Sequence, residues 1–348
     1  MKKRILHILK SNKYSGAENV ACQVINMFRK NKDYEMFYVS PEGQIAETLK
    51  EKDIKYIPIK NLSYLELKRV IKEYKPDIIH AHDKSAILFA SIFATKKRKV
   101  VAHVHCTFDI LTTKNLKSFI FNCALKRCKK VVFVSKQTYE TYAYKNDLEN
   151  KSVVLRNMID VNEIEQKASK DTNDYDIDII FLGRLAYQKN PERLLDVIES
   201  VYKKNKDLKV AIVGDGELKD KVVEIIKSKS LENTVKVYGF LNNPYKMLKQ
   251  SKLLLMTSRN EGTPMVALES MALGLPIIST PVDGMKDLII NGRNGYLSDE
   301  NEDLVTYITN IIENKVERLK ISEEAKKVFE EKNNIKKYED DIRMLYED

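Results

Sequence analysis

Cysteine and long apolar runs are scarce in this chain of 348 residues, and each scarcity excludes a class of protein. The four cysteines show neither a paired framework nor a Cys-x-x-Cys spacing, which is typical of free thiols in a reducing compartment. No window approaches the roughly 18 consecutive apolar residues that a transmembrane helix needs. The start, MKKRILHILK, has too short an apolar run and no small-residue cleavage site, so it predicts a buried strand rather than a signal peptide. We therefore expect a cytoplasmic globular protein.

Acidic residues are scarce in the first half of the chain. Residues 1–170 hold 33 Lys and Arg against 18 Asp and Glu, a net charge of +15. Residues 171–348 hold 27 against 32, a net charge of −5, so the whole chain carries +10. This asymmetry indicates that one domain meets an anionic partner, for which nucleic acid, a membrane surface and a diphosphate-bearing substrate are candidates.

Short apolar runs rich in Val and Ile alternate with longer amphipathic stretches. Such alternation predicts parallel sheets with helices on both faces. The strands expected in the first half are Arg4–Leu9, Tyr34–Ser40, Lys55–Ile59, Asp77–His82, Val100–His105, Val131–Ser135 and Val153–Arg156. The polar stretch Gln166–Tyr175 is predicted to be a linker. The strands expected after it are Ile177–Gly183, Val210–Gly214, Val235–Gly239, Leu253–Ser258 and Ile277–Thr280.

The pattern predicts an α/β protein made of two doubly wound, Rossmann-like domains that face each other across a cleft. The first domain is expected over 1–168 and the second over 169–334, with a C-terminal helix over 335–348 that returns to the first domain. The length suits two α/β domains of ordinary size. Ligands of such sheets bind outside the carboxyl ends of the strands, so residues directly after a strand are the candidate site residues.

The strongest candidate site is the segment Glu261–Glu269, EGTPMVALE, which follows an expected strand and opens a helix. Gly262 and Thr263 permit a tight turn, and Pro264 suits a first helical turn, where a missing N–H is tolerated. The free N–H groups of that turn and the helix dipole form an anion site that suits phosphate. Glu269 can accept hydrogen bonds from sugar hydroxyls. The alternative is an ordinary helix with a solvated glutamate.

Two further loops follow expected strands. Arg184 and Lys189 lie five positions apart after the first strand of the second domain, where a guanidinium fork and a mobile ammonium can grip two phosphates together. Their attraction for a leaving diphosphate grows as the bond to it breaks. In the first domain, Gly16 lies in the loop after the first strand and permits close approach of the backbone to a phosphate.

Four of the five histidines form two pairs at strand ends, His80-Ala-His82 and His103-Val-His105. Alternate residues of a strand point the same way, so each pair can face one side. Three interpretations stay open: a metal site, core histidines that satisfy backbone groups, and a lining of the cleft. No Asp, Glu or Cys cluster with metal-ligand spacing accompanies the pairs, and Asp176-Ile-Asp178 begins a strand, so no metal is expected.

Together these motifs resemble glycosyltransferase family 4, whose members are retaining enzymes of the GT-B fold, over nearly the whole chain. The resemblance rests on the Glu-x7-Glu spacing of Glu261 and Glu269 and on the Arg-x4-Lys spacing of Arg184 and Lys189. The run from Pro76 to His82, PDIIHAH, also looks like the first domain of this family.

The resemblance implies a role for each candidate residue. Arg184 and Lys189 would bind the donor diphosphate, and Glu269 the ribose hydroxyls. His105 and Glu261 would be the catalytic residues beside the transferred sugar. The pocket for sugar, phosphate and nucleobase would be formed by Gly16, Gly239, Gly262, Thr263, Pro264, Met265 and Val266. The family often has two glycines where this chain has Ser15 and Gly16, which leaves the first-loop contact in doubt. No metal and no other cofactor is implied.

The resemblance also implies the substrates. The donor would be a nucleotide diphosphate-sugar, with UDP favoured. The acceptor would be a glycan, lipid-linked or soluble, in bacterial capsule or exopolysaccharide assembly. A nicotinamide dehydrogenase is disfavoured because the first loop lacks Gly-x-Gly-x-x-Gly. Nucleic acid is not expected, because no aromatic RNA-binding signature accompanies the basic clusters.

A membrane surface is a further candidate partner. Leu116, Phe119, Ile120 and Cys123 recur at helical spacing, and the basic run Lys126–Lys130 follows them. A helix with an apolar face and a basic end can lie on an anionic inner leaflet. The same stripe could instead be the core face of an ordinary helix.

Overall fold

The computed structural model describes residues 2–106 and 109–347, and the chain divides into two compact units. The first unit consists of Met1–Met158 and Ile335–Asp348, and the second of Ile159–Asn334. Each unit contains a parallel sheet, as the alternation of apolar strands and amphipathic segments predicts.

The first unit is built on a seven-stranded sheet in the order β3-β2-β1-β4-β5-β6-β7. Its strands are β1 Lys3–Ile8, β2 Tyr34–Pro41, β3 Tyr56–Ile59, β4 Ile78–Ala81, β5 Lys99–Val104, β6 Lys130–Phe133 and β7 Ser152–Val154. The order reverses between β1 and β4, where His7 pairs in register with His80. Residues after these two strands therefore meet at the switch point of the sheet.

Helices cover both faces of the first sheet and bury its Val and Ile side chains in two clusters. They are α1 Gly16–Met27, α2 Ile45–Glu51, α3 Tyr64–Tyr74, α4 Lys84–Ile92, α5 Asp109–Thr112, α6 Leu116–Arg127 and α7 Lys136–Glu140. Several begin at a side-chain cap: Ser63, Asp83, Asn115 and Ser135 each accept from a backbone N–H of the first turn.

The second unit has a six-stranded parallel sheet in the order β10-β9-β8-β11-β12-β13. Its strands are β8 Ile177–Leu182, β9 Val210–Val213, β10 Val235–Gly239, β11 Ser251–Met256, β12 Ile277–Ser279 and β13 Tyr296–Leu297. Its helices are α8 Val161–Lys170, α9 Pro191–Lys204, α10 Lys219–Ser228, α11 Tyr245–Gln250, α12 Met265–Leu273, α13 Asp283–Leu288, α14 Asn301–Glu313 and α15 Lys315–Lys332. Across the described ranges, every helix is too short or too polar to cross a bilayer.

The last helix, α16 (Ile335–Glu347), packs on the first unit as predicted. Tyr346 is fully buried and its ring lies edge-on to Phe28 and Tyr34. The Arg343 guanidinium lies over the Phe28 ring, 5.7 Å from its centroid. These contacts place the end of the chain in the core formed by α1 and β2.

The twelve predicted strands are confirmed, with ends shifted by at most two residues, and the two-residue strand β13 was not predicted. The predicted linker is wrong over its first half, because α8 extends to Lys170. Asp160 caps this helix through its carboxylate, and Ile164 and Ala168 are buried against α11 and α12. For this reason the first unit ends at Met158, before the expected boundary at residue 168.

Candidate functional site

The loops after β8 and β11 begin at neighbouring strand ends, because the strand order of the second sheet reverses between these two strands. The β8 loop contains Arg184 and Lys189, and the β11 loop contains Glu261 and Gly262. The two strongest candidate motifs therefore lie at the switch point, where doubly wound sheets bind ligands.

Hydrogen bonds join the two loops directly. Thr257 Oγ1 donates to the Asn190 carbonyl over 3.0 Å, and the Arg259 amide donates to the Gln188 carbonyl over 2.8 Å. In return, Gln188 Nε2 donates to the Asn260 carbonyl over 2.9 Å. The loops therefore hold one another in place without a strand between them.

An ion pair completes this junction. Lys189 Nζ lies 2.5 Å from Glu261 Oε1, and Ser258 Oγ donates to the same oxygen over 2.6 Å. The two charged side chains retain only 18% and 6% of their exposure. The sequence places both residues in one site but does not show that they pair. Arg184 differs, because it is exposed and its guanidinium makes no hydrogen bond or ion pair with any residue of the described ranges.

The start of α12 offers backbone N–H groups, as predicted. Pro264 is the cap residue, and the first helical hydrogen bond runs from the Ala267 amide to the Pro264 carbonyl over 3.1 Å. The amides of Met265 and Val266 precede that bond and have no partner within the helix. With the helix dipole, these N–H groups favour an anion.

Gly284 packs against the turn that precedes α12. The Gly284 amide donates to the Glu261 carbonyl over 3.1 Å. A Cβ at Gly284 would lie 1.6 Å from the carbonyl oxygen of Gly262, so only glycine permits this approach. Thr263, the next residue of the turn, is also buried.

Glu269 is buried on α12, a helix whose nine residues are all buried. Tyr245 Oη donates to Glu269 Oε1 over 3.3 Å. Burial, together with the Glu269 charge, raises the pKa of Tyr245, which keeps the phenol protonated as a donor. The alternative of a solvated glutamate is therefore wrong.

Gly239 ends β10 beside the other loops of this edge. Its φ is +71°, and its carbonyl accepts from the Gly214 amide over 2.8 Å. Gly214 has a φ of +141°, and a Cβ there would lie 1.9 Å from the Gly183 carbonyl oxygen. The backbones that follow β8, β9 and β10 are thus in close contact, which only glycine permits at position 214.

In the first unit, Gly16 is the exposed first residue of α1. The preceding Ser15 is the cap residue, and its hydroxyl donates to the buried Glu18 carboxylate. The serine in place of a second glycine therefore has a structural partner inside the loop.

All five histidines of the chain meet at the carboxyl ends of β1, β4 and β5. The ring centroids of neighbouring histidines lie 4.2–5.3 Å apart, and every ring except that of His105 is fully buried. Sequence reasoning missed His7, whose place beside His80 depends on the strand order. The pairs are therefore core residues, and His105 is at the partly exposed end.

Two triplets in this cluster have the spacing of metal ligands, with one nitrogen from each ring within 4.8 Å of the others: His7, His80 and His82, and His82, His103 and His105. Burial lowers the pKa of His7 and of His105 to about 3, and that of the other three well below its usual value. Neutral imidazoles are the form that ligates metals, but neutral imidazoles also form hydrogen bonds with one another. The geometry is compatible with either use.

The other charged motifs have structural partners. Asp178 accepts from the Lys209 amide over 2.8 Å and pairs with Lys252 over 2.7 Å, at the amino end of β8. Asp178 thus joins the start of β8 to Lys209, the residue directly before β9. In the basic run Lys126–Lys130, whose first two residues form the last turn of α6, Lys126 pairs with Asp147 over 2.8 Å, and Arg127 Nε donates to the Ser91 carbonyl over 2.9 Å.

Lys189→Ala and Arg184→Ala should differ in stability. Among the described residues, removal of Lys189 leaves the buried Glu261 carboxylate with the side-chain contact of Ser258, at a cost of about 1–3 kcal/mol. Removal of the exposed Arg184 guanidinium should change stability by less than about 0.5 kcal/mol. Thermal unfolding of both variants beside the wild type checks this, and equal melting temperatures for the two variants would contradict it.

Two family models cover the chain almost end to end. Residues 14–163 match the model described as Glycosyltransferase Family 4, and residues 162–328 match Glycosyl transferases group 1. The capsular polysaccharide biosynthesis glycosyltransferase CapH of Staphylococcus aureus is 24% identical over 86% of each chain. A Campylobacter jejuni N-acetylgalactosamine-N,N'-diacetylbacillosaminyl-diphospho-undecaprenol 4-alpha-N-acetylgalactosaminyltransferase is 30% identical over 60% of this chain and 58% of its own.

The fold has solved counterparts. The crystal structure of Anabaena HepE in complex with UDP-glucose superposes with a TM-score of 0.85 at 20% identity, over 98% of each chain. On the two family matches and this fold, the chain belongs to the family 4 glycosyltransferases of the GT-B type.

Proposed function

We propose that the enzyme transfers a sugar from a UDP-sugar to a lipid-diphosphate-linked glycan, with retention of the anomeric configuration, in bacterial surface polysaccharide assembly. The observation that carries the proposal is the set of anion-binding groups at the switch point of the second sheet. The free Arg184 guanidinium and the open N–H groups at the start of α12 share one sheet edge.

A diphosphate suits these groups. Arg184 offers a bidentate fork with no competing partner in the described ranges, and the helix start adds partial positive charge without a counterion. Lys189 is paired with Glu261, so the positive charge of Lys189 would be shared between a bound diphosphate and that carboxylate. As the sugar leaves, negative charge grows on the diphosphate and strengthens each of these contacts.

The uridine and the retained configuration are supported by similarity. HepE, which shares the fold, was solved with UDP-glucose, and the Campylobacter relative is named for an alpha-linked transfer. Glu269 and Glu261 would then bind the ribose and the transferred sugar, as the family resemblance implies. The family resemblance also implies donor-binding roles for Gly16 and His105.

The lipid-linked acceptor is supported by the outer face of α6. Leu116, Phe119 and Ile120 are 73%, 52% and 50% exposed, and Cys123 is also exposed. The helix instead buries Phe121 and Leu125, so the interpretation of the stripe as a core face is wrong. Exposed apolar side chains on a basic domain suit an anionic bilayer, and the Campylobacter relative is named for a diphospho-undecaprenol acceptor.

A donor screen tests the function. The protein is incubated with UDP- and GDP-sugars and a lipid-diphosphate-linked glycan, and the released nucleotide and the product anomer are measured by NMR. We expect release of UDP and a product with the anomeric configuration of the donor. Release of GDP alone would contradict a UDP-sugar donor. A product with the inverted configuration would contradict retention. Turnover only with water-soluble glycans would favour a soluble acceptor.

Arg184→Ala and Lys189→Ala should each lower kcat/KM for the donor. The lost charge-assisted contact is worth about 1.5–3 kcal/mol, or roughly ten- to hundredfold. The double variant should lose less than the sum, because both side chains would bind one diphosphate. Steady-state kinetics measure this, and full activity in either single variant would rule that residue out as a donor contact.

Glu269→Gln should weaken nucleotide binding more than it weakens the fold. The amide oxygen can still accept from Tyr245, whereas the amide replaces the carboxylate only partly toward two ribose hydroxyls. Melting temperature and UDP affinity are measured side by side, with Tyr245→Phe as the control that removes only the internal hydrogen bond. A large fall in melting temperature with unchanged affinity would make Glu269 a structural residue.

Activity should survive chelation. If Arg184, Lys189 and the start of α12 stabilise the leaving diphosphate, EDTA should leave the initial rate within about twofold of the untreated enzyme. The assay compares untreated, EDTA-treated and Mg²⁺- or Mn²⁺-supplemented enzyme. A rate that EDTA abolishes and a divalent cation restores would show that a metal takes part.

Membrane binding should depend on the apolar face of α6. We expect the protein to sediment with anionic but not with neutral vesicles, less so as salt rises, because surface charge attraction is screened. Leu116→Ser, Phe119→Ser and Ile120→Ser combined should abolish sedimentation and spare donor hydrolysis. The matched control is Val316→Ser with Leu319→Ser, which removes equally exposed apolar groups from α15. Equal loss in both variants would refute a specific surface.

A further inference from the structure

Three of the five histidines form one hydrogen-bonded chain, which we call the His7 chain. His7 Nδ1 lies 2.9 Å from His82 Nε2, and His82 Nδ1 lies 3.0 Å from His105 Nε2. Both nitrogens of His82 are therefore used. The His7 chain runs from the fully buried His7 in β1 to the partly exposed His105 at the end of β5.

The remaining two histidines form a separate chain. His80 Nδ1 lies 2.8 Å from Tyr346 Oη, and His80 Nε2 lies 3.2 Å from His103 Nδ1. The His103 ring stacks on that of His105, with centroids 4.2 Å apart, but has no hydrogen bond to it. His103 is therefore a matched control for His7: it is equally buried and is in contact with His105, but it lies outside the His7 chain.

The number of protons limits the His7 chain to two arrangements. Three neutral imidazoles carry three N–H protons, and the two contacts between rings use one proton each. The third proton must lie at one end, on His7 Nε2 or on His105 Nδ1. Because each ring has one N–H, the choice at one end fixes the tautomer of all three rings.

The two ends differ in their surroundings. His7 Nε2 is buried and has no hydrogen-bond partner among the described residues. A buried N–H without a partner costs the full desolvation of a donor, and orphaned N–H groups are rarer in proteins than orphaned acceptors. His105 is partly exposed, so a proton on its Nδ1 can meet water or a ligand.

We propose that His7 and His82 are positioning residues that hold His105 as the Nδ1–H tautomer, so that it presents a hydrogen-bond donor to a hydroxyl of the transferred sugar. The tautomer follows from the His7 chain alone. The role toward the sugar rests on the proposed function. His105 with a proton on Nδ1 and with Nε2 taken by His82 has no free nitrogen to accept a proton. It therefore orients an oxygen and does not act as a general base.

The tautomer can be read directly by nitrogen-15 NMR of the histidine-labelled full-length protein without any substrate. With five histidines in the chain, single variants assign every ring. Near neutral pH we expect His7, His82 and His105 all to carry the proton on Nδ1. A proton on His105 Nε2, a charged His105 ring, or stoichiometric zinc retained on His82 would each overturn the proposal.

Three variants separate positioning from packing. His7→Ala leaves a cavity beside His82 Nε2 that can hold water, and water accepts from this nitrogen as readily as it donates to it. A measurable Nε2–H fraction should therefore form at His105. In His7→Asn, the side-chain amide can still donate to His82 Nε2, so the Nδ1–H tautomer should be kept. His103→Ala should leave the His105 tautomer unchanged. Equal effects of His7→Ala and His103→Ala would show that packing, not the hydrogen bonds of the His7 chain, controls His105.

Kinetics then test the role toward the sugar. His7→Ala should lower kcat/KM for the sugar nucleotide by about fivefold, the effect of one neutral hydrogen bond, and His7→Asn should keep most of the wild-type value. Affinity for UDP alone should be unchanged, whereas a weaker affinity for UDP would assign the contact to phosphate and overturn the sugar role. If the wild type turns over no donor, the proposed function fails, and the NMR result still decides the tautomer.

Discussion

The ion pair of Lys189 and Glu261 connects two loops that leave neighbouring strands in parallel and share no ladder hydrogen bonds. Ser258 bonds the same carboxylate oxygen, and the Gly284 amide bonds the Glu261 carbonyl, so the pair also fixes the turn ahead of α12. The pair thus lies in the turn directly ahead of the open N–H groups of α12. It also leaves Arg184 as the one cation of the motif with no bound counterion in the described ranges.

The two units handle charge in opposite ways. The second unit, most of which belongs to the more acidic half of the sequence, concentrates a cation, a paired cation and a helix start at one sheet edge. The first unit is strongly basic over its surface, yet the switch point of its sheet holds five imidazoles whose burial keeps them neutral. Recognition of a diphosphate calls for charge, whereas orientation of a hydroxyl calls for a neutral donor in a defined position.

Much of the fold could be predicted because buried parallel strands are near-continuous apolar runs. Strands β4 and β5 end one residue before the predicted ends at His82 and His105. Helix α8 was missed because it buries only Ile164 and Ala168 among polar side chains, so its composition resembles a linker. Glu261 and Lys189 could be assigned to one site by motif, but their pairing depends on side-chain geometry. His7 could not be found, because its neighbours are set by the strand order.

Helix α16 makes the first unit discontinuous in sequence, with consequences during synthesis. Tyr346 fills the core between Phe28 and Tyr34, and its hydroxyl bonds His80, but it leaves the ribosome only after all of the second unit. The first unit therefore cannot complete this core until α16 has been synthesised, and part of its apolar surface stays exposed to solvent until then. Residues 159–334 are contiguous in sequence and can fold before that point. The order of folding is then the reverse of the order of translation. The nascent first unit is the part of the chain with most need of a chaperone.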